Sequence, residues 1–370
     1  MEKKISVGIL FGGKSAEHEV SLQSAKNVFD ALDRTKYDPV LIGIDKSGRW
    51  LLNDESRFLL NADDPKRVTL NPEGDAVALL PQGGGVISNL AAPGREKSID
   101  VVFPILHGPF GEDGTVQGLL KLADIPFVGA GVLASAAGMD KDVMKRLLRD
   151  AGIPVGKFLV FKSHEVLPPF QAIREELGLP FFVKPANMGS SVGVGKIRNE
   201  EEYPLCVREA FEYDTKIILE EFIPGRELEC SVLGNEEPLA SLPGEVKSRH
   251  EFYSYDAKYL DEQGAVLEIP ARINEDVCRA LQALAVKTFQ TLACEGLGRV
   301  DFFLKPDGTI MVNEINTMPG FTRISMYPKL WEASGLSYSA LIDRLIALAL
   351  DRFKKEKKLK TSYTGPVCPE

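Results

Sequence analysis

The stretch Gly298-Arg-Val-Asp-Phe-Phe-Leu-Lys-Pro-Asp-Gly-Thr-Ile-Met-Val-Asn-Glu-Ile-Asn316 constrains this chain more than any other. Residues 300–304 and 309–315 are rich in strand formers, and Asp-Gly is a favoured two-residue hairpin turn. With Asp307-Gly308 as that turn, residue 306 opposes 309 and Asp301 opposes Glu314. Directly opposed side chains share a face, roughly 5 Å apart. Asn316, two residues beyond Glu314, falls on the same face. Two facing carboxylates repel unless a cation lies between them. A hard divalent cation wants oxygen ligands of this kind, and Mg²⁺ usually shares them with nucleotide phosphates. A three-residue Pro306-Asp-Gly loop with a bulge is the competing turn; it would slip the register and turn Glu314 to the other face.

The rest of the chain is consistent with an enzyme of ordinary globular make-up. Its 370 residues allow two or three domains, and 44% hydrophobic with 26% charged residues supplies ample core. A net charge of −9 argues against a nucleic-acid binder. The five cysteines are scattered, without CxxC or metal spacing, and read as free thiols in a reducing compartment. The four histidines show no zinc spacing. The N-terminus has no signal-peptide layout, and no apolar run reaches membrane-span length. A cytoplasmic protein that inserts in no membrane is expected.

Strands alternate with helices at the start: a strand at 4–11, a helix at 21–32, then strands at 39–44 and 101–106. A loop, His107-Gly-Pro-Phe-Gly-Glu-Asp-Gly114, follows, then a helix at 116–123 and a short strand at 126–128. This alternation predicts a parallel α/β sheet. Residues 61–98, rich in Asn, Asp, Pro and Gly, read as an irregular surface excursion. An α+β unit is expected next, with a helix at 140–151 and strands at 155–161, 181–184 and 216–222. A second α+β unit carries a strand at 228–233, helices at 275–292 and 339–353, and the opening hairpin. The implied boundaries are 1–138, 139–226 and 227–360, with 361–370 as a flexible tail.

Several local patterns carry chemistry. Gly8 to Ser15 formally matches a P-loop, but its middle residues Ile9-Leu10-Phe11 belong in a strand and cannot cradle phosphate. Lys184 ends an apolar strand and precedes Pro185-Ala-Asn-Met-Gly-Ser-Ser-Val-Gly193. A lysine with an amide-rich loop suits a triphosphate that must be covered and released. Residues 218–227, Ile-Leu-Glu-Glu-Phe-Ile-Pro-Gly-Arg-Glu, form a strand that bends at Pro-Gly and serves equally as an adenosine contact or an interdomain linker. Arg299 shares a face with Asp301 and suits either a developing oxyanion or a salt bridge to a neighbouring acid. Tyr253, Tyr255, Lys258 and Tyr259 lie in a loop-like stretch.

Together these segments resemble the ATP-grasp superfamily and, within it, the D-alanine–D-alanine ligase family. The resemblance rests on Gly12-Gly-Lys-Ser-Ala-Glu-His-Glu-Val-Ser21, His107-Gly with Gly111-Glu-Asp-Gly114, and Met139-Asp-Lys141. It rests equally on Lys184-Pro with Gly189-Ser-Ser-Val-Gly193, Tyr255-Asp-Ala-Lys-Tyr259, Gly298-Arg-Val-Asp301, Asn313-Glu-Ile-Asn-Thr-Met-Pro-Gly320 and Ser325-Met326. It implies three domains, the two α+β units clasping ATP, and a homodimer using two D-alanines per turnover. It implies that Asp301, Glu314 and Asn316 hold two Mg²⁺ ions, with Mn²⁺ able to substitute. Lys141, Lys184 and Lys258 would neutralise phosphate charge, and Glu220, Ile223, Glu227 and Phe303 would line the adenosine site. Glu17 and His107 would take the first D-alanine, Ser325 and Met326 the second. Arg299 and the Gly320 amide would form the oxyanion hole, while Ser190, Tyr259 and Glu17 would seal the site from water. Tyrosine at 259 goes with dipeptide formation, phenylalanine with the D-lactate ester. The chain departs from many relatives at Glu221, which is kept out of the expected adenine contacts.

Overall fold

The computed structural model describes residues 3–248 and 265–362, apart from 63, 65, 66, 93 and 95. The first region begins β1 (Ile5–Gly12), α1 (His18–Ala31), β2 (Tyr37–Ile44) and β3 (Trp50–Asn53). It continues through β4 (Leu59–Leu60), β5 (Thr69–Leu70), β6 (Asp75–Leu79), β7 (Val86–Asn89), β8 (Glu96–Ser98) and β9 (Val101–Ile105), and ends with α2 (Thr115–Leu122) and α3 (Val132–Met139). Its sheet runs β8-β7-β6-β3-β2-β1-β9. Only β1, β2 and β9 are parallel, so the sheet is mixed rather than parallel throughout. Val7, Ile9 and Phe11 enter one core and Leu10 another, which is why β1 is apolar without alternation. With Ile9, Leu10 and Phe11 inside β1, the formal P-loop match has no loop to form.

The 61–98 stretch is not irregular throughout. Its antiparallel strands β6, β7 and β8 extend the sheet, and the three glycines at 83–85 turn β6 into β7. The short apolar alternations (Val77 and Leu79 buried, Ile87 buried) were masked by the polar residues between them. The expected strand at 126–128 reduces to one parallel bridge, Val102 to Phe127.

The central region holds α4 (Lys141–Asp150), β10 (Phe158–Lys162), α5 (Phe170–Leu177), β11 (Phe181–Pro185), β12 (Gly195–Ile197), α6 (Glu202–Tyr213) and β13 (Lys216–Glu221). Its antiparallel sheet runs β10-β13-β11-β12. Asp140 caps α4, accepting from the amides of Asp142 (3.2 Å) and Val143 (3.1 Å). The strand expected at 155–161 starts only at Phe158; Val155 makes a lone bridge to Val312.

The last region contains β14 (Arg226–Gly234), β15 (Leu239–Ala240), β16 (Gly244–Ser248), β17 (Ala265–Glu268), α7 (Glu275–Thr291), β18 (Gly296–Leu304), β19 (Ile310–Asn316), α8 (Met326–Ala333) and α9 (Tyr338–Glu356). Its sheet runs β17-β16-β14-β18-β19, with β15 on β14. Leu233, Met318, Phe321, Tyr327 and the buried face of α9 share one core with Val7, Phe103 and Leu22 of the first region. The end of the chain therefore packs against its beginning. No single described helix is long and apolar enough to cross a membrane. The expected tail falls mainly on residues 363–370, outside the described residues, as do Tyr253, Tyr255, Lys258 and Tyr259.

Candidate active site

Asp301 does pair with Glu314, but not through a two-residue turn. Lys305 and Thr309 close a three-residue Pro306-Asp307-Gly308 loop: Lys305 N donates to Thr309 O and Gly308 N to Lys305 O, both 2.9 Å. Gly308, at φ 85°, supplies the left-handed residue that such a loop needs. The register near the turn is consequently one residue off, with Phe302 against Val312. A bulge between Asp301/Phe302 and Val312/Glu314 absorbs Asn313 and restores the Asp301–Glu314 pair. Two successive residues, Asn313 and Glu314, thereby both line the cavity.

Around this pair the charges are dense. Arg299 grips Asp301 with two parallel bonds, Nε to Oδ1 and Nη2 to Oδ2, each 2.7 Å. Its Nε also lies 2.8 Å from Glu229 Oε2. Asn316 Nδ2 donates to Asp301 Oδ2 (3.0 Å), on the face the hairpin pattern predicts. Lys141 approaches Glu314 at 3.7 Å. Among the described residues, no three His, Cys, Asp or Glu side chains gather as a metal cluster. The donor set here is two carboxylates and an amide oxygen. Hard oxygen donors with lysines beside them fit a divalent cation that completes its shell with phosphate oxygens and water.

The lysines stand on two elements. Lys184 lies near the end of β11, and Lys141 opens α4, where its Nζ donates to Met188 O (2.7 Å) in the Gly/Ser loop. Lys145, one turn further along α4, was not singled out from the sequence. Its spacing of four from Lys141 puts both on one helix face, a signal that was available. Glu220 sits between Lys145 (2.7 Å) and Lys184 (2.5 Å). Burial alone would raise the Glu220 carboxyl, but the two ammonium groups outweigh it and hold it at about 2. Burial likewise works against a charged Lys184, yet Glu220 keeps its pKa above the ordinary lysine value. Glu227 and Phe303 are direct cross-strand partners, and with Ile223 they line the same wall.

At the other end Glu17 precedes α1 and accepts from Ser190 Oγ. Ser190 and Ser191 adopt left-handed backbone, at φ 52° and 61°. A Cβ on Gly189 would come within 2.9 Å of Glu17 Oε2 and would push that carboxylate aside, while Gly108, at φ 71°, has backbone that favours glycine. His107 is buried and donates from Nδ1 to Met318 O (3.0 Å), leaving Nε2 to accept from Ser24 Oγ (3.3 Å). Burial lowers its pKa, so the ring is neutral. Glu112, also not singled out from the sequence, accepts from the amides of Gly108 (2.9 Å) and Met318 (3.0 Å). Burial, then the charge of Glu17, pushes its carboxyl up to about 8. His107 and Glu112 thus hold both sides of the peptide unit around Met318, two residues before Gly320. Ser325 Oγ accepts from the Thr322 amide (3.0 Å) and faces Gly320, where a Cβ would meet it at 2.8 Å.

These groups line one cavity of about 580 Å³. It brings together Asp301, Glu314, Asn316 and Arg299; Lys141, Lys184 and Glu220; Ile223, Glu227 and Phe303; Glu17, His107 and Ser190; and Gly320, Ser325 and Met326. Lys258 and Tyr259 lie outside the described residues. Glu221, kept out of the expected adenine contacts, lines the cavity too and accepts from the Lys157 amide (2.8 Å). The volume falls in the range of small-molecule and cofactor sites. Its ends differ chemically: acids and lysines suited to metal and phosphate at one, a neutral imidazole, a carboxylate and amides suited to an amino acid at the other.

Family models of the D-ala D-ala ligase N-terminus and C-terminus match residues 6–130 and 147–347. A D-alanine--D-alanine ligase of Oceanobacillus iheyensis is 54% identical over 366 residues, covering 98% of this chain and 99% of the relative. Among solved structures, the D-alanine-D-alanine ligase from Coxiella burnetii superposes with a TM-score of 0.84 at 39% identity, covering 96% of each chain. The VanG D-Ala:D-Ser ligase from Enterococcus faecalis follows at 0.82 and 37%, covering 94% of this chain and 100% of that one. These likenesses run over nearly the whole chain, and the chain belongs to the D-alanine–D-alanine ligase family of the ATP-grasp fold.

Proposed function

We propose that the chain joins two D-alanines into D-alanyl-D-alanine at the expense of ATP, for peptidoglycan precursor synthesis. The observation that carries this reading is the single cavity in which an amino-acid end (Glu17, His107, Ser325) meets a phosphate end (Asp301, Glu314, Lys184) across Arg299 and Gly320. A carboxylate is a poor electrophile and must first be activated. The first D-alanine attacks the γ-phosphate of ATP, giving an acyl phosphate and ADP. The amine of the second D-alanine then attacks that carbonyl and phosphate leaves.

Each residue has a task in this sequence. Glu17 takes the ammonium of the first D-alanine, and neutral His107 lies near its carboxylate. Lys141 and Lys184 neutralise the phosphates. Arg299 and the Gly320 amide stabilise the oxyanion that forms as the amine adds. Ser325 and Met326 hold the second D-alanine. Ser190, bonded to Glu17, covers the acyl phosphate against hydrolysis; Lys258 and Tyr259 would serve with these groups. Asp301, Glu314 and Asn316 would hold two Mg²⁺, which neutralise charge on the transferring phosphoryl group. Glu220, Ile223, Glu227 and Phe303 line the adenosine. The working unit is a cytoplasmic homodimer, with the nucleotide between regions 139–226 and 227–360.

Phosphate release from ATP tests the reading. It is expected only when D-alanine and Mg²⁺ are both present, with the dipeptide as product. Equal release with L-alanine, or none with either, overturns it. A D-lactate or D-serine product formed in preference to the dipeptide would reassign the second substrate.

A further inference from the structure

Glu229 stands on β14 directly across from Asp301, and Glu314 stands across from Asp301 on the other side. Three carboxylates therefore lie in one row over three adjacent strands, neighbours roughly 5 Å apart. Like charges so placed repel. Arg299 offsets that repulsion: it donates to Asp301 from Nε and Nη2, and its Nε pairs by charge with Glu229 Oε2 at 2.8 Å. The side chains concerned are nearly enclosed, Glu229 at 13% exposure, Asp301 at 14% and Arg299 at 18%. Charge partners in such surroundings matter more than at the surface.

Asp301 is asked to do two incompatible things. Both its oxygens bind the guanidinium, and the same oxygens are those a divalent cation would use. Each Asp301 oxygen that turns to the cation weakens the hold on Arg299. Were Asp301 the sole anchor, metal loading would free the guanidinium just when it must point at the acyl carbonyl. Resting on the metal–nucleotide reading of the cavity, we propose that Glu229 is a positioning residue. It keeps Arg299 in place while Asp301 passes from guanidinium to metal, coupling metal loading to the oxyanion hole. No local pattern marks Glu229; only the strand register puts it in the row.

A double-mutant cycle on metal binding tests this, with a readout other than turnover. Mn²⁺ is titrated into the full chain with excess β,γ-imido analogue of ATP, and bound Mn²⁺ is read by electron paramagnetic resonance. Glu229→Gln keeps the shape and removes the charge, so the guanidinium competes harder for Asp301. Mn²⁺ affinity is expected to fall about tenfold. In an Arg299→Gln background the same substitution should change it less than about twofold. Equal losses in both backgrounds would mean that Glu229 acts on the cation itself, and no loss in either would mean that it acts on neither; each overturns the proposal. Glu229→Asp keeps the charge and should recover most of the affinity, and Glu229→Met, which also removes the charge, carries the cycle if the Gln variant fails to fold. In turnover, Glu229→Gln should lower kcat with little change in KM for ATP. If the unaltered chain takes up no Mn²⁺ with the analogue, the metal–nucleotide reading fails and this one with it. If it does and Glu229→Gln matches it, only this proposal falls.

Discussion

Glu112 shows what a single side chain can decide. Its carboxyl joins two amides far apart in sequence, Gly108 and Met318, and sits enclosed beside Glu17. Its pKa rises from 4.5 to about 8. The folded protein therefore keeps a proton that the unfolded chain releases near 4.5. That contribution is fully present below about 4.5 and is lost as the pH rises through about 8. Denaturant midpoints should decline across this interval. Glu112→Gln, which cannot ionise, should flatten the decline. An unchanged slope would mean that Glu112 titrates as an ordinary carboxyl. Single residues of this kind are legible in part. Glu17, His107 and Lys184 stood out because each sat in a segment of unusual composition. Glu112, Lys145 and Glu229 did not, because a carboxylate or ammonium on an ordinary helix or strand looks solvated until its neighbours are known.

At the scale of elements, α4 shows how local chemistry positions a site. Asp140 caps the helix and also pairs with Lys216 of β13 at 2.6 Å, tying the helix to the sheet that carries Lys184. Asp140→Ala removes the cap and leaves Lys216 with its 3.4 Å contact to Asp142. A loss of roughly 2 kcal/mol is expected from the cap and the part-buried ion pair together. Denaturant unfolding measures it, and KM for ATP should rise as Lys141 and Lys145 lose their fixed places. The hairpin teaches a complementary lesson. Strand composition in 298–316 predicted both strands and the facing acids. The turn type was wrong, because Pro306 and Gly308 favour the three-residue loop, and the bulge at Asn313 that compensates has no local sequence mark. The 61–98 stretch failed similarly: β6 and β7 are short, with about one buried side chain in two, and β8 is fully exposed, so they carry too little apolar signal to separate from loop.

Over the whole molecule, the chain's end completes its beginning. Arg352 of α9 is buried, and donates to the carbonyls of Gly129 (2.6 Å) and Phe127 (2.8 Å) beside the first sheet. Arg352→Met should cost about 2–5 kcal/mol, since two buried carbonyls lose their donors. A urea midpoint within error of the unaltered protein would show that water replaces the guanidinium. The sequence by itself determined the residue types that line the cavity and the class of the fold. Both are carried by short segments whose residue types have few alternative uses: facing acids on strands, a lysine before a glycine-rich loop, a glycine turn into a helix. Tertiary structure alone decided which of those segments meet. It set the row Glu229–Asp301–Glu314, the clamp of His107 and Glu112 on Met318, and the core shared by the two ends of the chain. These are contacts between residues far apart in sequence, and they follow from strand register and packing, which no local pattern encodes.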